Sequence, residues 1–149
     1  MDLVRLLIDE AGAWQELWGL FERIPVDRIE EPTLTPEGWS PKDAMFHIAA
    51  WMAECGLQLE RIRAGTFDHA DETRETIERL NAEWFELSRT MEPRDVWTSF
   101  ASAHQRMVEE MGTMREVTPE AWEWFEESGP LHYAEHATDI GDWLGQPAA

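Results

Sequence analysis

Apolar residues recur along this chain at intervals of three and four, and alternation at period two never lasts more than a few positions. That spacing predicts amphipathic helices and no sheet. Over about residues 2–23 it gathers Leu3, Leu6, Leu7, Trp14, Leu17, Trp18, Phe21 and Ile24 on one stripe, which Pro25 ends. Pro32, Pro36 and Gly38 then break the chain into a loop. A second helix opens at Ser40-Pro41-Lys42-Asp43, which offers an N-cap, a proline at the first helical position and an acid at the third. This is a capping-box pattern. Its apolar face runs through Ala44, Ile48, Trp51, Met52, Cys55, Leu59 and Ile62 to about Ala64, where Gly65 stops it.

A third segment, about 72–91, carries Ile77, Leu80, Trp84, Leu87 and Met91 before Pro93. A fourth, about 94–114, carries Trp97, Phe100, His104, Met107, Met111 and Met114. A short helix opens at Thr118-Pro119-Glu120 and presents Trp122 and Phe125. Ser128-Gly129-Pro130 restarts the chain into a last helix reaching about Leu144 and Gly145, with His136, Ile140, Trp143 and Leu144 turned inward. Gln146 onward reads as a tail. Stripes of this width must be buried against one another. The expected fold is therefore an all-α bundle, one domain over residues 1–149. Its core helices are 2–23, 41–64, 94–114 and 130–144, and 72–91 lies in the long connection between the second and third of these.

Composition narrows the function. The apolar stripes are too short to cross a bilayer, and the acidic start (Asp2, Asp9, Glu10) lacks the basic, then apolar, layout of a signal peptide. Cys55 is the sole cysteine, so neither an internal disulfide nor a thiolate cluster is available. These features suggest a soluble, cytoplasmic protein. With 31 acids against 12 bases, and Lys42 the only lysine, the formal charge is −19. Such a field repels nucleic-acid phosphates and anionic membrane surfaces, so neither is expected as a partner.

Candidate chemistry rests on histidine. His132 and His136 stand four apart in a predicted helix, so their imidazoles share a face, and Ile140 and Trp143 mark that face as inward. Neutral imidazole suits zinc, nickel, copper or ferrous iron. His47, at the border of the inward face of the second helix, is the candidate third ligand; its other reading is a core histidine. Three histidines leave a coordination position open, as in catalytic sites. His104 sits squarely on an apolar stripe and reads as core rather than ligand, and His69 as a loop residue in solvent. Asp139 shares the stripe of the pair and could orient an imidazole, or could be a solvated helix acid. Glu54, two turns past His47, could reach the mouth of the site. Glu135 could act as a base, although it points about 100 degrees away from the ligand stripe. Trp51 and Trp143 could wall a pocket. Asp43 is explained as a cap, and Cys55 has no neighbour that would activate it.

The stretch Gly38-Trp39-Ser40-Pro41-Lys42-Asp43 leading to His47, together with His132-Tyr133-Ala134-Glu135-His136 near the end, resembles the DinB-like superfamily. Its colibactin self-protection proteins and mycothiol-dependent maleylpyruvate isomerase-like proteins look nearest. The resemblance implies a four-helix bundle with a long crossover. It also implies one divalent metal, zinc or nickel, on His47, His132 and His136, and a homodimer. A low-molecular-weight thiol of mycothiol or bacillithiol type would be the co-substrate. Three functions follow as expectations. The first is a metal-dependent enzyme that transfers such a thiol to a small electrophile or isomerises it. The second is a metal-free hydrolase or binding protein that protects against a reactive small molecule. The third is a non-enzymatic interaction module in which Trp122 and Trp124 form an exposed aromatic patch.

Overall fold

The computed structural model describes residues 2–147, apart from the side chain of Asp71. The end of the expected tail, residues 148–149, lies outside the described residues. The elements are α1 (Leu3–Glu22), α2 (Pro41–Ala64), α3 (Arg74–Ser88), α4 (Pro93–Gly112), α5 (Pro119–Ser128) and α6 (Pro130–Leu144), with short 3₁₀ turns at Val26–Arg28 and His69–Glu72. Among the described residues there is no strand, as the helical spacing predicts.

Local chemistry sets where the helices begin. Asp2 accepts from the Arg5 N–H, Thr73 from Thr76 and Thr118 from Ala121, each filling an orphan donor of a first turn. Proline stands in the first turn of α2, α4, α5 and α6, where its missing N–H costs nothing. The capping box of α2 is complete: Asp43 N–H donates to Ser40 Oγ at 3.2 Å, and Ser40 N–H donates back to Asp43 Oδ2 at 2.9 Å. Asp43 also accepts from Ser88 Oγ at 2.6 Å, and Lys42 Nζ donates to the Met91 carbonyl at 2.7 Å. The start of α2 is thereby tied to the end of α3. Gly65 ends α2 with a φ of 75°, a left-handed conformation that favours glycine.

Contacts between elements fix their directions. Lys42 meets Met91, Arg106 meets Glu60 and Arg63 meets Glu110, so α2 and α4 run parallel. Trp14 packs on Phe100 and Trp18 on Trp97, so α1 runs antiparallel to α4. His47 lies beside His136, and Met52 beside Tyr133, so α6 runs antiparallel to α2. The parallel pair requires a long return connection, which α3 supplies.

The core draws Leu17 and Phe21 from α1, Ile48, Met52 and Leu59 from α2, Phe100, Met107 and Met111 from α4, Phe125 from α5, and Tyr133, Ile140 and Trp143 from α6. The α3 helix is a cover rather than a core element. Ser88 is its one buried residue, and Leu87, expected on its apolar face, is 51% exposed. In α4 it is Val96, off the expected stripe, that is fully buried, while Trp97 is only half-buried.

Candidate metal centre

His47 projects from the second turn of α2, and His132 and His136 from the first two turns of α6. The motif residue Trp39 packs its ring edge-on to His47 at a centroid distance of 5.1 Å, while its other neighbour, Phe85, stacks on it at 5.4 Å. The loop before α2 and the covering helix therefore both help orient this imidazole. Across the helix pair, His47 Nε2 lies 3.1 Å from His132 Nε2, and His136 Nε2 lies 3.0 Å from the same atom. The ligand atoms of all three fall within 4.8 Å of one another.

Burial keeps these rings neutral. It pushes His47 down to about 3, with the neighbouring His136 adding to the effect. His132 is lowered to about 2 by burial and then by both of its histidine neighbours. His136 is lowered by burial, against an upward pull from Glu135 and Asp139. A ring nitrogen of neutral imidazole carries either one proton or one lone pair, so His132 Nε2 serves two facing nitrogens poorly. A single cation accepting three lone pairs resolves the conflict. Ligands about 2.0–2.1 Å from a tetrahedral ion stand about 3.3 Å apart, close to the separations found here. The donor set therefore fits a borderline divalent ion. The usual outer support is missing, however: Nδ1 of His47 and Nδ1 of His132 are buried without a hydrogen-bond partner.

The three imidazoles line a cleft of about 610 Å³. Trp51 and Trp124 form walls, with Trp51 Nε1–H donating to Asn81 Oδ1 at 2.8 Å and Trp124 Nε1–H to Glu72 Oε1 at 3.1 Å. Glu72, Glu123, Glu127 and Glu135 also line it, and among the described residues no lysine or arginine does. Burial, then the carboxylates of Glu123, Glu126 and Glu72, raise the Glu127 carboxyl above its ordinary value.

Of the expected site residues, the structure brings together His47, His132, His136, Trp51 and Glu135. Three others are placed elsewhere. Glu54 lies seven residues past His47, about 10.5 Å further along α2, where it accepts from Gln58 Nε2 at 3.0 Å and lines a different groove. Trp143 lies equally far beyond His136; it is 2% exposed, its N–H donates to Thr33 Oγ1 at 3.0 Å, and the Arg28 guanidinium covers its ring at 4.1 Å. It belongs to the core and not to the lining of the histidine cleft. Asp139 is exposed and bonded to no imidazole, so its influence on His136 is through charge alone.

His104 stays out of the centre. Its Nε2 sits 3.0 and 2.9 Å from the two oxygens of Glu10, which is 1% exposed, and its ring stacks on Trp14 at 3.8 Å. Tyr133 Oη–H donates to the same carboxylate at 3.1 Å. His69 is exposed, and its hydrogen bond to Glu72 raises its pKa. Cys55 is buried, and burial pushes its thiol up, as expected of a residue with no nucleophilic role. Trp122 and Trp124 are both half-buried and packed against the core.

Sequence reasoning missed Asn81 and three acids of the rim, Glu72, Glu123 and Glu127. The acids did leave a signal: Glu123 and Glu127 are four apart, flanking Trp124 on one side of α5. No protein-family model, curated protein or solved structure matches the chain.

Proposed function

We propose that this chain is a divalent-metal-dependent enzyme acting on a small molecule bound in the three-histidine cleft. The observation that carries the reading is the meeting of three neutral Nε2 atoms, from two helices, at one cleft. Zinc or nickel is the ion that the imidazole donor set and the resemblance together favour. When bound, such an ion supplies Lewis-acid activation of a water or thiol. The chain's own residues do the rest. Trp51 and Trp124 present apolar surface to a substrate and exclude water beside the imidazoles. Glu127, whose carboxyl holds its proton more tightly than usual, is placed to give or take a proton in the cleft, and Glu135 is a second acid there. Thiol transfer to an electrophile, and a four-helix bundle of DinB-like type, are the finer forms of this reading and rest on the resemblance.

A metal-free hydrolase or binding protein is the second reading: Glu127 and Glu135 line the cleft as acid–base groups whether or not an ion is held. Metal analysis of untagged protein separates the two. We expect about one equivalent of zinc, nickel or iron in the wild type and none in His132→Ala/His136→Ala. A wild-type protein that is empty and refuses added metal would sink the metal-dependent reading.

A further inference from the structure

The cleft has walls and floor of unlike character. Its floor is imidazole, its two large walls are indole, and among the described residues every formally charged one that lines it is a glutamate. The indole N–H groups of Trp51 and Trp124 are already bonded to Asn81 and Glu72. What these rings have left to offer a ligand is π surface, which attracts cations. Around them stand Glu123, Glu127 and Glu135, with Glu72 shared between Trp124 and His69.

The balance of charge decides the ligand class. A divalent ion on the histidines would bring two positive charges into a cleft lined by four carboxylates. With His69 protonated against Glu72 as well, the lining keeps a formal excess of one negative charge when an ion is held and of three when none is. The Glu127 carboxyl is raised first by burial and then by this crowding, through Glu123, Glu126 and Glu72. An anionic ligand, including a thiol that carries carboxylates of its own, enters against this field.

We propose that the cleft selects a small protonated amine with an apolar body, the ammonium seated among Glu123, Glu127 and the indole faces and the body directed toward the histidine floor. The proposal rests on the three-histidine cleft being the substrate site, and adds to it the charge class of the substrate. It narrows thiol transfer to thiols without net negative charge.

The test uses benzylamine and benzoate, of similar size and opposite charge, titrated by equilibrium dialysis at low salt. Samples are the wild-type chain, Glu123→Gln/Glu127→Gln and His132→Ala/His136→Ala, with metal content measured in each. We expect the wild type to bind benzylamine about tenfold more tightly than benzoate, and the glutamine variant to lose most of that preference. Both glutamines are isosteric with the exposed rim acids they replace, and far-UV circular dichroism checks that the helices persist. Equal or tighter binding of benzoate, binding of neither probe, or a preference that survives Glu123→Gln/Glu127→Gln would each overturn the proposal. The metal reading fails separately. If the wild type holds no metal but keeps its preference for the amine, the charge class stands and the metal-dependent mechanism falls.

Discussion

His104 and the three cleft histidines are all withdrawn from water, yet their neighbours differ. His104 faces both oxygens of a buried carboxylate, whereas His47, His132 and His136 face one another. In the unfolded chain an imidazole titrates near about 6.5. In the fold, burial holds His47 down to about 3 and His132 to about 2. Between these limits the unfolded chain takes up protons that the fold refuses. This contribution to stability is therefore whole above about pH 6.5 and falls away as the pH drops through the interval, by up to about 1.4 kcal/mol per pH unit for each ring. Metal-stripped protein should begin to lose stability below about pH 6, and His132→Gln/His136→Gln should move its acid midpoint to lower pH. Urea titrations across pH 4–7 measure this, and superimposable profiles for the two proteins would refute it. Glu10 makes the contrasting case. Glu10→Ala removes the shared acceptor of His104 and the Tyr133 hydroxyl and should cost about 1–3 kcal/mol by chemical denaturation while leaving metal content unchanged. The histidine trio was legible in the sequence because its members sit on inward stripes. Glu10 was not: its place between Leu6 and Trp14 points inward, while its type points to solvent, and only its two partners settle the conflict.

At the scale of elements, the breaks in the sequence were its clearest marks. Ser40-Pro41-Lys42-Asp43 places the start of α2 to the residue, because each group of the capping box has one partner it can reach. Ser40→Ala should cost about 1 kcal/mol of stability. The joint between α5 and α6 is tighter still. A Cβ on Gly129 would lie 2.6 Å from the Phe125 carbonyl oxygen, a backbone atom that accepts from Gly129 N–H at 2.8 Å. Gly129→Ala must therefore open the last turn of α5 or tilt α6. Since α6 carries His132 and His136 and α5 carries Trp124 and Glu127, the expected outcome is a lower thermal midpoint together with weaker metal retention. A variant as stable and as metal-rich as the wild type would show that the joint is soft. What the sequence left unread is what covers what. The α3 stripe has the same spacing as a core helix, but none of its apolar residues is fully buried, because the long return between parallel α2 and α4 lays it across the outside. Glu54 and Trp143 were misplaced for a related reason. Helical phase tells which face a residue is on; two turns of rise had carried each of them past the cleft.

For the whole molecule the governing quantity is charge. Twelve bases cannot pair with 31 acids, so at least 19 carboxylates have no side-chain cation of their own. The bridges Arg106–Glu60 and Arg63–Glu110, which tie α2 to α4, are largely exposed and worth little individually. The surplus acts as a diffuse repulsion opposing the compact state, and salt screens it: the Debye length falls from about 10 Å at 0.1 M to about 3 Å at 1 M. Two responses to salt should then run in opposite directions. The thermal midpoint should rise by several degrees as sodium chloride goes from about 0.02 to about 0.5 M, because relief of repulsion outweighs the loss of a few exposed ion pairs. Over the same range the preference of the cleft for an amine should shrink, because the attraction is carried by rim carboxylates that water and ions can reach. Calorimetry and dialysis on one salt series read both. Loss of the amine preference with a flat thermal midpoint would place the effective charge at the rim alone. A rising midpoint with an undiminished preference would mean that the indole faces of Trp51 and Trp124, rather than Glu123 and Glu127, hold the cation.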